Sequence, residues 1–249
     1  MIKSFLSNQC KEVLLGSLLG DGSLKIHKSY KNPRFSFRHS IKQQEYFFWK
    51  VNQLEEISRE KCWWKQEKNC LGNVMFYYQS MATDSLMDLY KLTHKNNQLI
   101  IRRKWLNKLT PLSLAIWWLD DGSLITNGRR GVLCTDPFSY KEQKLMARYL
   151  YKVWDVKVAI GKIHREWNGK QTEYYRLWIR SSEELQKLLR IILPYVKVSS
   201  MLPKVLLLYK NINLQQRWIS EVHKATGFSQ SVIEKYLNEK KSRWKKFRE

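Results

Sequence analysis

The sequence has four cysteines, Cys10, Cys62, Cys70 and Cys134, and no two of them stand in C-x-x-C spacing. That excludes the usual cysteine zinc sites and gives no disulfide framework; a reducing compartment is expected. No apolar run is long enough to span a bilayer. Residues 1–9 carry no cleavable apolar core and are not the Arg/Ser-rich stretch of a transit peptide, so the expectation is a protein that is not secreted. Acidic residues are scarce: 22 Asp and Glu stand against 45 Lys and Arg, a net charge of +23. Such an imbalance costs stability through self-repulsion and points to a polyanionic partner. Nucleic acid is the first candidate and an anionic membrane surface the second. The 249 residues, 43% of them apolar, allow one large domain or two small ones with a real core.

What the chain does have is a repeat. Leu14–Leu24 reads LLGSLLGDGSL and Leu114–Leu124 reads LAIWWLDDGSL; six of the eleven pairs are identical at an offset of 100. Each copy is an apolar helix running into Asp-Gly. An acid is unfavourable at a helix C-terminus, where the dipole prefers cations. Asp21 and Asp121 at equivalent positions therefore read as functional, with Gly22 and Gly122 as helix C-caps. Gly16 and Gly20, four apart, leave room for close approach of another helix; Ile116 and Asp120 stand there in the second copy.

The pattern after each motif repeats as well. In the first half, Gly22–Lys28 and Pro33–His39 alternate as strands. Lys42–Ile57 reads as a helix, Lys61–Lys65 and Val74–Ser80 as strands, and Thr83–Thr93 as a helix capped by Thr83. In the second half, Ser123–Thr126 and Gly131–Thr135 are strands and Tyr140–Val153 a helix. Lys157–Glu166 and Glu173–Arg180 form a hairpin around Asn168-Gly169, and Ser182–Leu193 is a helix opened by a capping box at Ser181 or Ser182. On the strand 33–39, Arg34, Ser36 and Arg38 share one face and Phe35 and Phe37 the other. The expected fold is α+β, with two αββαββα subdomains. Helices cover one face of each sheet. The other face carries Lys25, His27, Arg34, Arg38, Lys65, Lys162, His164, Arg176 and Arg180. Trp63, Trp64 and Trp178 are candidates to stack on bases, although most tryptophans here are core residues.

The two motifs, the Leu109-Thr110-Pro111-Leu112-Ser113 lead-in and the downstream Ser200-Met201-Leu202-Pro203-Lys204 resemble the LAGLIDADG homing endonucleases, in particular their intron-encoded single-chain members. The resemblance covers roughly residues 10 to 210. It implies two pseudo-symmetric subdomains, residues 1–108 and 109–211, whose motif helices pack together and whose sheets form a saddle in the major groove of DNA. It further implies two or three Mg²⁺ ions at the subdomain interface, because a hard cation needs carboxylate and carbonyl oxygens. Asp21 and Asp121 would ligate them, with the backbone carbonyls of Gly20 and Asp120, and each acid would serve one strand. The family's basic or polar residue beside each metal falls on Lys204 and, in the first half, near Gln98, which departs from lysine; Arg102 or Arg103 are alternative sources of charge there.

Residues 212–249 lie beyond the repeat. Leu214–Thr226 and Gln230–Lys246 read as helices around Gly227, with Ser229 as a cap, and resemble a helix-turn-helix ending in a basic run. The alternative is an α-hairpin packed on the core. The reading as a whole is a monomeric, Mg²⁺-dependent, site-specific double-strand DNA endonuclease, encoded in an intron of an organelle or acting in a bacterial cytoplasm. The alternatives are an RNA-binding intron maturase on the same scaffold and a DNA-binding protein that no longer cuts.

Overall fold

A computed structural model of the protein describes residues 6–28, 30–67, 74–125 and 128–243. Cys70, Thr126 and the basic run at residues 244–248 lie outside these. The chain divides into two compact units, residues 1–120 and 121–249. The repeat boundaries read from sequence follow the motifs, whereas the compact units follow contacts. The helix that opens the second repeat therefore packs almost wholly with the first unit.

The first unit begins with α1 (Asn8–Ser17), capped by the Ser7 hydroxyl, which accepts from the Cys10 N–H. A turn through residues 18–21 follows. Strands β1 (Ser23–Lys25) and β2 (Arg34–Ser40), helix α2 (Gln44–Gln53), strands β3 (Trp63–Gln66) and β4 (Met75–Gln79) and helix α3 (Met87–Thr93) complete the repeat. The sheet is antiparallel in the order β1-β2-β4-β3. The expected helix 42–57 is shorter, because 3₁₀ turns flank α2 on both sides. Thr83 caps as expected, accepting from the Ser85 N–H, but a 3₁₀ turn precedes α3. Strands β5 (His94–Lys95) and β6 (Gln98–Leu99), a small hairpin, and helix α4 (Arg103–Leu106) were not legible in the sequence. The last helix, α5 (Pro111–Asp121), is apolar all round and buried from Leu112 to Asp120.

Alternation in β2 sorts its two faces. Phe35, Phe37 and His39 are buried, and Arg34, Ser36 and Arg38 are not. Phe47 of α2 packs on Phe37 and Phe76 with ring centroids 5.2 and 5.3 Å apart. Apolar side chains on that face of the sheet and on one side of α2 have no other way out of water, and this burial drives the unit's folding.

The second unit carries β7 (Gly122–Ile125), β8 (Arg130–Leu133), α6 (Tyr140–Trp154), β9 (Ala159–Trp167), β10 (Lys170–Ile179) and α7 (Ser182–Ile192). Its sheet order, β7-β8-β10-β9, matches the first. The β9–β10 turn is Asn168-Gly169, both residues left-handed (φ 50° and 72°) as a two-residue hairpin demands. The capping box stands at Ser139 and Glu142 on α6; Ser181 is a plain N-cap, accepting from the Glu183 N–H.

The tail is α8 (Ile212–Thr226) and α9 (Gln230–Arg243), joined at left-handed Gly227. One side of the tail packs into the second unit. Trp218, Ile219, Val222, Ile233 and Leu237 are buried. The Trp218 indole N–H donates to the Val205 carbonyl (3.1 Å) and the Gln215 amide to that of Leu207 (3.1 Å). Among the described residues, no helix is long and apolar enough to cross a membrane.

Candidate functional site

The end of the first motif is built around a close helix approach. A Cβ on Gly16 would strike the Ser113 carbonyl and lie 2.9 Å from Ile116 Cβ; one on Gly20 would lie 2.5 Å from Asp120 Cβ. Bare glycine is what lets α1 and its following turn lie on α5 here. The Ser113 hydroxyl crosses the same seam to the Glu12 carbonyl at 2.9 Å. Gly22 and Gly122 are not left-handed caps: among the described glycines only Gly128, Gly169 and Gly227 have positive φ. Gly22 is required for space instead, since its N–H reaches back to the Ser17 carbonyl at 2.7 Å and a Cβ would meet Phe35 at 2.8 Å. Gly122 is the first residue of β7.

This packing presents Asp21 at the surface and sinks Asp120 beneath it. The Asp21 side chain is 37% exposed and that of Asp120 0%. Asp120 is met by Lys50, itself fully buried, whose Nζ lies 3.0 and 2.9 Å from the two carboxylate oxygens. The Tyr46 hydroxyl donates to Asp120 Oδ1 at 2.9 Å, and the Asp21 N–H approaches Oδ2 at 3.4 Å. Burial and the Asp120 charge both push the Tyr46 phenol well above its ordinary range, so it stays a donor. His39, buried on β2, sets Nδ1 3.5 Å from Asp21 Oδ2 and Nε2 3.9 Å from Asp120 Oδ1.

Asp21, His39 and Asp120 bring one ligand atom each within 4.8 Å of one another. The donor chemistry divides them. A hard cation such as Mg²⁺ takes oxygen ligands and keeps its waters, which suits the exposed Asp21 carboxylate. The Asp120 carboxylate already faces an ammonium on both oxygens, and a second cation there would be repelled by Lys50. Asp120 is thus a buried carboxylate under the site, paired with Lys50.

Asp21 opens onto the uncovered face of the first sheet. A groove of about 400 Å³ is lined by Asp21, Ser23, Lys25, Ser36, Arg38 and Tyr77. Arg34 shares this face by register with Lys25, and exposed His27 follows β1. Trp64 stands here too, stacked on Tyr77 at 5.5 Å. Lys65 does not: it pairs with buried Phe76, on the helix-covered side, and meets Glu67 at 3.0 Å.

In the second unit the same register argument moves two more residues. Lys162 and His164 pair with Tyr175 and Glu173, which share the face of buried Leu177 and Ile179. Lys162 meets Glu173 at 2.6 Å there. Arg176 is on the open face, with Arg165, which sequence reasoning missed; both bind Asp136, at 2.5 and 2.7 Å. Trp178 is on that face and lies against Gly161, where a Cβ would strike its indole. Arg180 is exposed just past β10. The phase of β9 was misread because its polar side chains run on both sides of a long strand.

Asp121 ends α5, and its carbonyl accepts the Cys134 N–H at 3.1 Å. Burial pushes the Cys134 thiol up; Asp121 and Asp136 act the same way, and Arg176 and Lys204 oppose them. Asp121 and Lys204 thus act on one common neighbour. Gln98 is exposed on β6. Arg102 is committed elsewhere, its guanidinium donating to the carbonyls of Lys91, Leu92 and His94 at the end of α3.

The fold and its paired motif helices define a nuclease family, and the sequence profile of the LAGLIDADG DNA endonuclease family matches residues 11–188; the chain belongs to that family. It is similar to the structure described as the homing endonuclease I-WcaI bound to its DNA recognition sequence, with a TM-score of 0.69, 23% identity, and coverage of 83% of this chain and 89% of that one. It is 30% identical to Protein RecA of Mycobacterium gastri over 63% of this chain and 39% of the relative. It is 27% identical to cytochrome b mRNA maturase bI2 of Saccharomyces cerevisiae over 74% of this chain and 44% of the relative. The chain therefore spans less than half the length of these two curated relatives.

Proposed function

We propose that the protein is a site-specific double-strand DNA endonuclease that hydrolyses phosphodiesters with Mg²⁺, is encoded in an intron of an organelle or bacterial genome, and acts as a monomer. The observation that carries this reading is the placement of Asp21: an exposed carboxylate on a buried anion, at the edge of a groove lined by Lys25, Arg38 and Tyr77. Asp21 and Asp121 would each hold a divalent ion, with the Gly20 and Asp120 carbonyls as further ligands, and each would serve one strand. Such ions supply an activated water and neutralise charge at the leaving oxygen. Lys204 adds positive charge beside Asp121, and Gln98 orders water on the first side. Lys25, His27, Arg34, Arg38, Arg165, Arg176 and Arg180 contact the duplex from the open sheet faces. Lys65, Lys162 and His164, on the covered faces, are left to flanking phosphates.

The test is selection from a randomised duplex library. With Mg²⁺, cleaved molecules should converge on one long site; with Ca²⁺, the same site should be bound and left whole. Binding should also fall steeply with salt, because a net charge of +23 displaces condensed counterions. A slope of log K against log salt of roughly −5 or steeper is expected for six or more phosphate contacts. A flat response would remove nucleic acid as the partner.

The likeness to the yeast maturase favours a second reading, an RNA-binding intron maturase on the same scaffold. Tight binding to a structured intron RNA, with no selected duplex, would make it the better one. A DNA-binding protein that no longer cuts is disfavoured by the presence of both acids.

A further inference from the structure

Lys204 ends a 3₁₀ helix, Ser199–Lys204, of six residues. Six residues is long for this conformation, whose hydrogen-bond geometry is poor. The Leu202 carbonyl accepts from the N–H groups of Val205 and Leu206, and Pro203 contributes no N–H. The segment also packs against β7, the strand that starts immediately after Asp121. Any drift of the segment therefore moves Lys204 relative to Asp121.

A side-chain donor to the carbonyl of Pro203, and to that of Leu206 just beyond the segment, comes from the tail. Lys240 of α9 is 8% exposed, and its Nζ donates to the carbonyls of Pro203 and Leu206, both at 2.7 Å. One turn earlier on α9, Tyr236 shares a hydrogen bond with the Ser199 hydroxyl at 3.3 Å. Met201 and Leu202 are buried between these two ties. A buried lysine is costly; burial pushes this amine down to about 7, while the two carbonyl acceptors favour its charged form. Leucine at this position would avoid that cost but leave the Pro203 and Leu206 carbonyls without this donor.

We propose that Lys240 is a positioning residue for the second half-site: the C-terminal hairpin clamps the 3₁₀ segment so that Lys204 stays in register with Asp121. This rests on the reading of Lys204 and Asp121 as one strand's cleavage site. Neither Lys204 nor the clamp lies within the residues 11–188 matched by the family profile. The hairpin then serves the chemistry of one strand from outside the repeat.

The experiment compares Lys240→Met with Lys204→Met in the full-length chain, on a supercoiled plasmid carrying the selected target and with each strand separately labelled. In Lys240→Met, hydrogen exchange in the peptide 199–206 should speed up while that in 8–17 is unchanged. Cleavage of one strand should slow about tenfold or more, the size expected of a small misplacement near the chemistry, while the other strand is cut at the wild-type rate and nicked circles accumulate. Lys204→Met should slow the same strand. Equal slowing of both strands by Lys240→Met, or of neither, overturns the proposal. If Lys204→Met shows no strand preference, the role of Lys204 is what fails, and exchange in 199–206 then decides alone whether Lys240 holds the segment. Should Lys240→Met not fold, Tyr236→Phe cuts the other tie and carries the same comparison.

Discussion

Asp21→Asn and Asp121→Asn should each abolish double-strand cleavage of the target while Ca²⁺-supported binding stays close to wild type. The expected loss on the affected strand is about a thousandfold, the scale seen when a group that stabilises transition-state charge is removed. The substitution keeps shape and hydrogen bonding but takes away the charge that holds the cation. The Asp21 side chain is 37% exposed, and the Asp121 backbone carbonyl accepts the Cys134 N–H, a contact that Asn at 121 keeps. Each single variant should leave nicked circles, because one acid remains. Linear product at near wild-type rate from both variants would show that the active site lies elsewhere.

Lys50→Met should destabilise the protein by about 3–5 kcal/mol, because it strands a buried carboxylate without its cation. At this chain length that corresponds to a fall in Tm of roughly 10 °C or more. The geometry behind the figure is two contacts of 3.0 and 2.9 Å between side chains that are both 0% exposed. Lys50→Met combined with Asp120→Leu should recover most of the loss, since a buried pair replaced by apolar groups is often nearly neutral. A double-mutant cycle read by thermal melting measures this coupling. A single Lys50→Met variant melting within a degree or two of wild type would mean that Asp120 is not dependent on Lys50.

The pair was partly visible in the sequence. Lys50 stands four residues after Tyr46 and three after Phe47, on the apolar stripe of its helix, and Asp120 is an acid inside an apolar helix. A cation and an anion in such places each require a buried partner. Nothing in the spacing pairs residues 50 and 120, however, and His39 looks in the sequence like one more member of a strand.

The sequence by itself determined the repeat, the α+β class, the strand faces wherever alternation is strict, as in β2, and the two acids. These follow from local periodicity and from residues whose chemistry is costly where they stand, so they need no knowledge of neighbours. Tertiary structure decided what depends on distant partners. Register put Lys65, Lys162 and His164 on the covered faces, because a side chain's face is set by the residue opposite and not by its own type. Packing buried one side of the tail hairpin, since a hairpin's buried side depends on which surface is there to receive it. The close approach of α5 to the turn after α1 made Gly20 a point of contact and sank Asp120 beneath Asp21, where the Lys50 ammonium from a third helix and the Tyr46 hydroxyl meet its carboxylate.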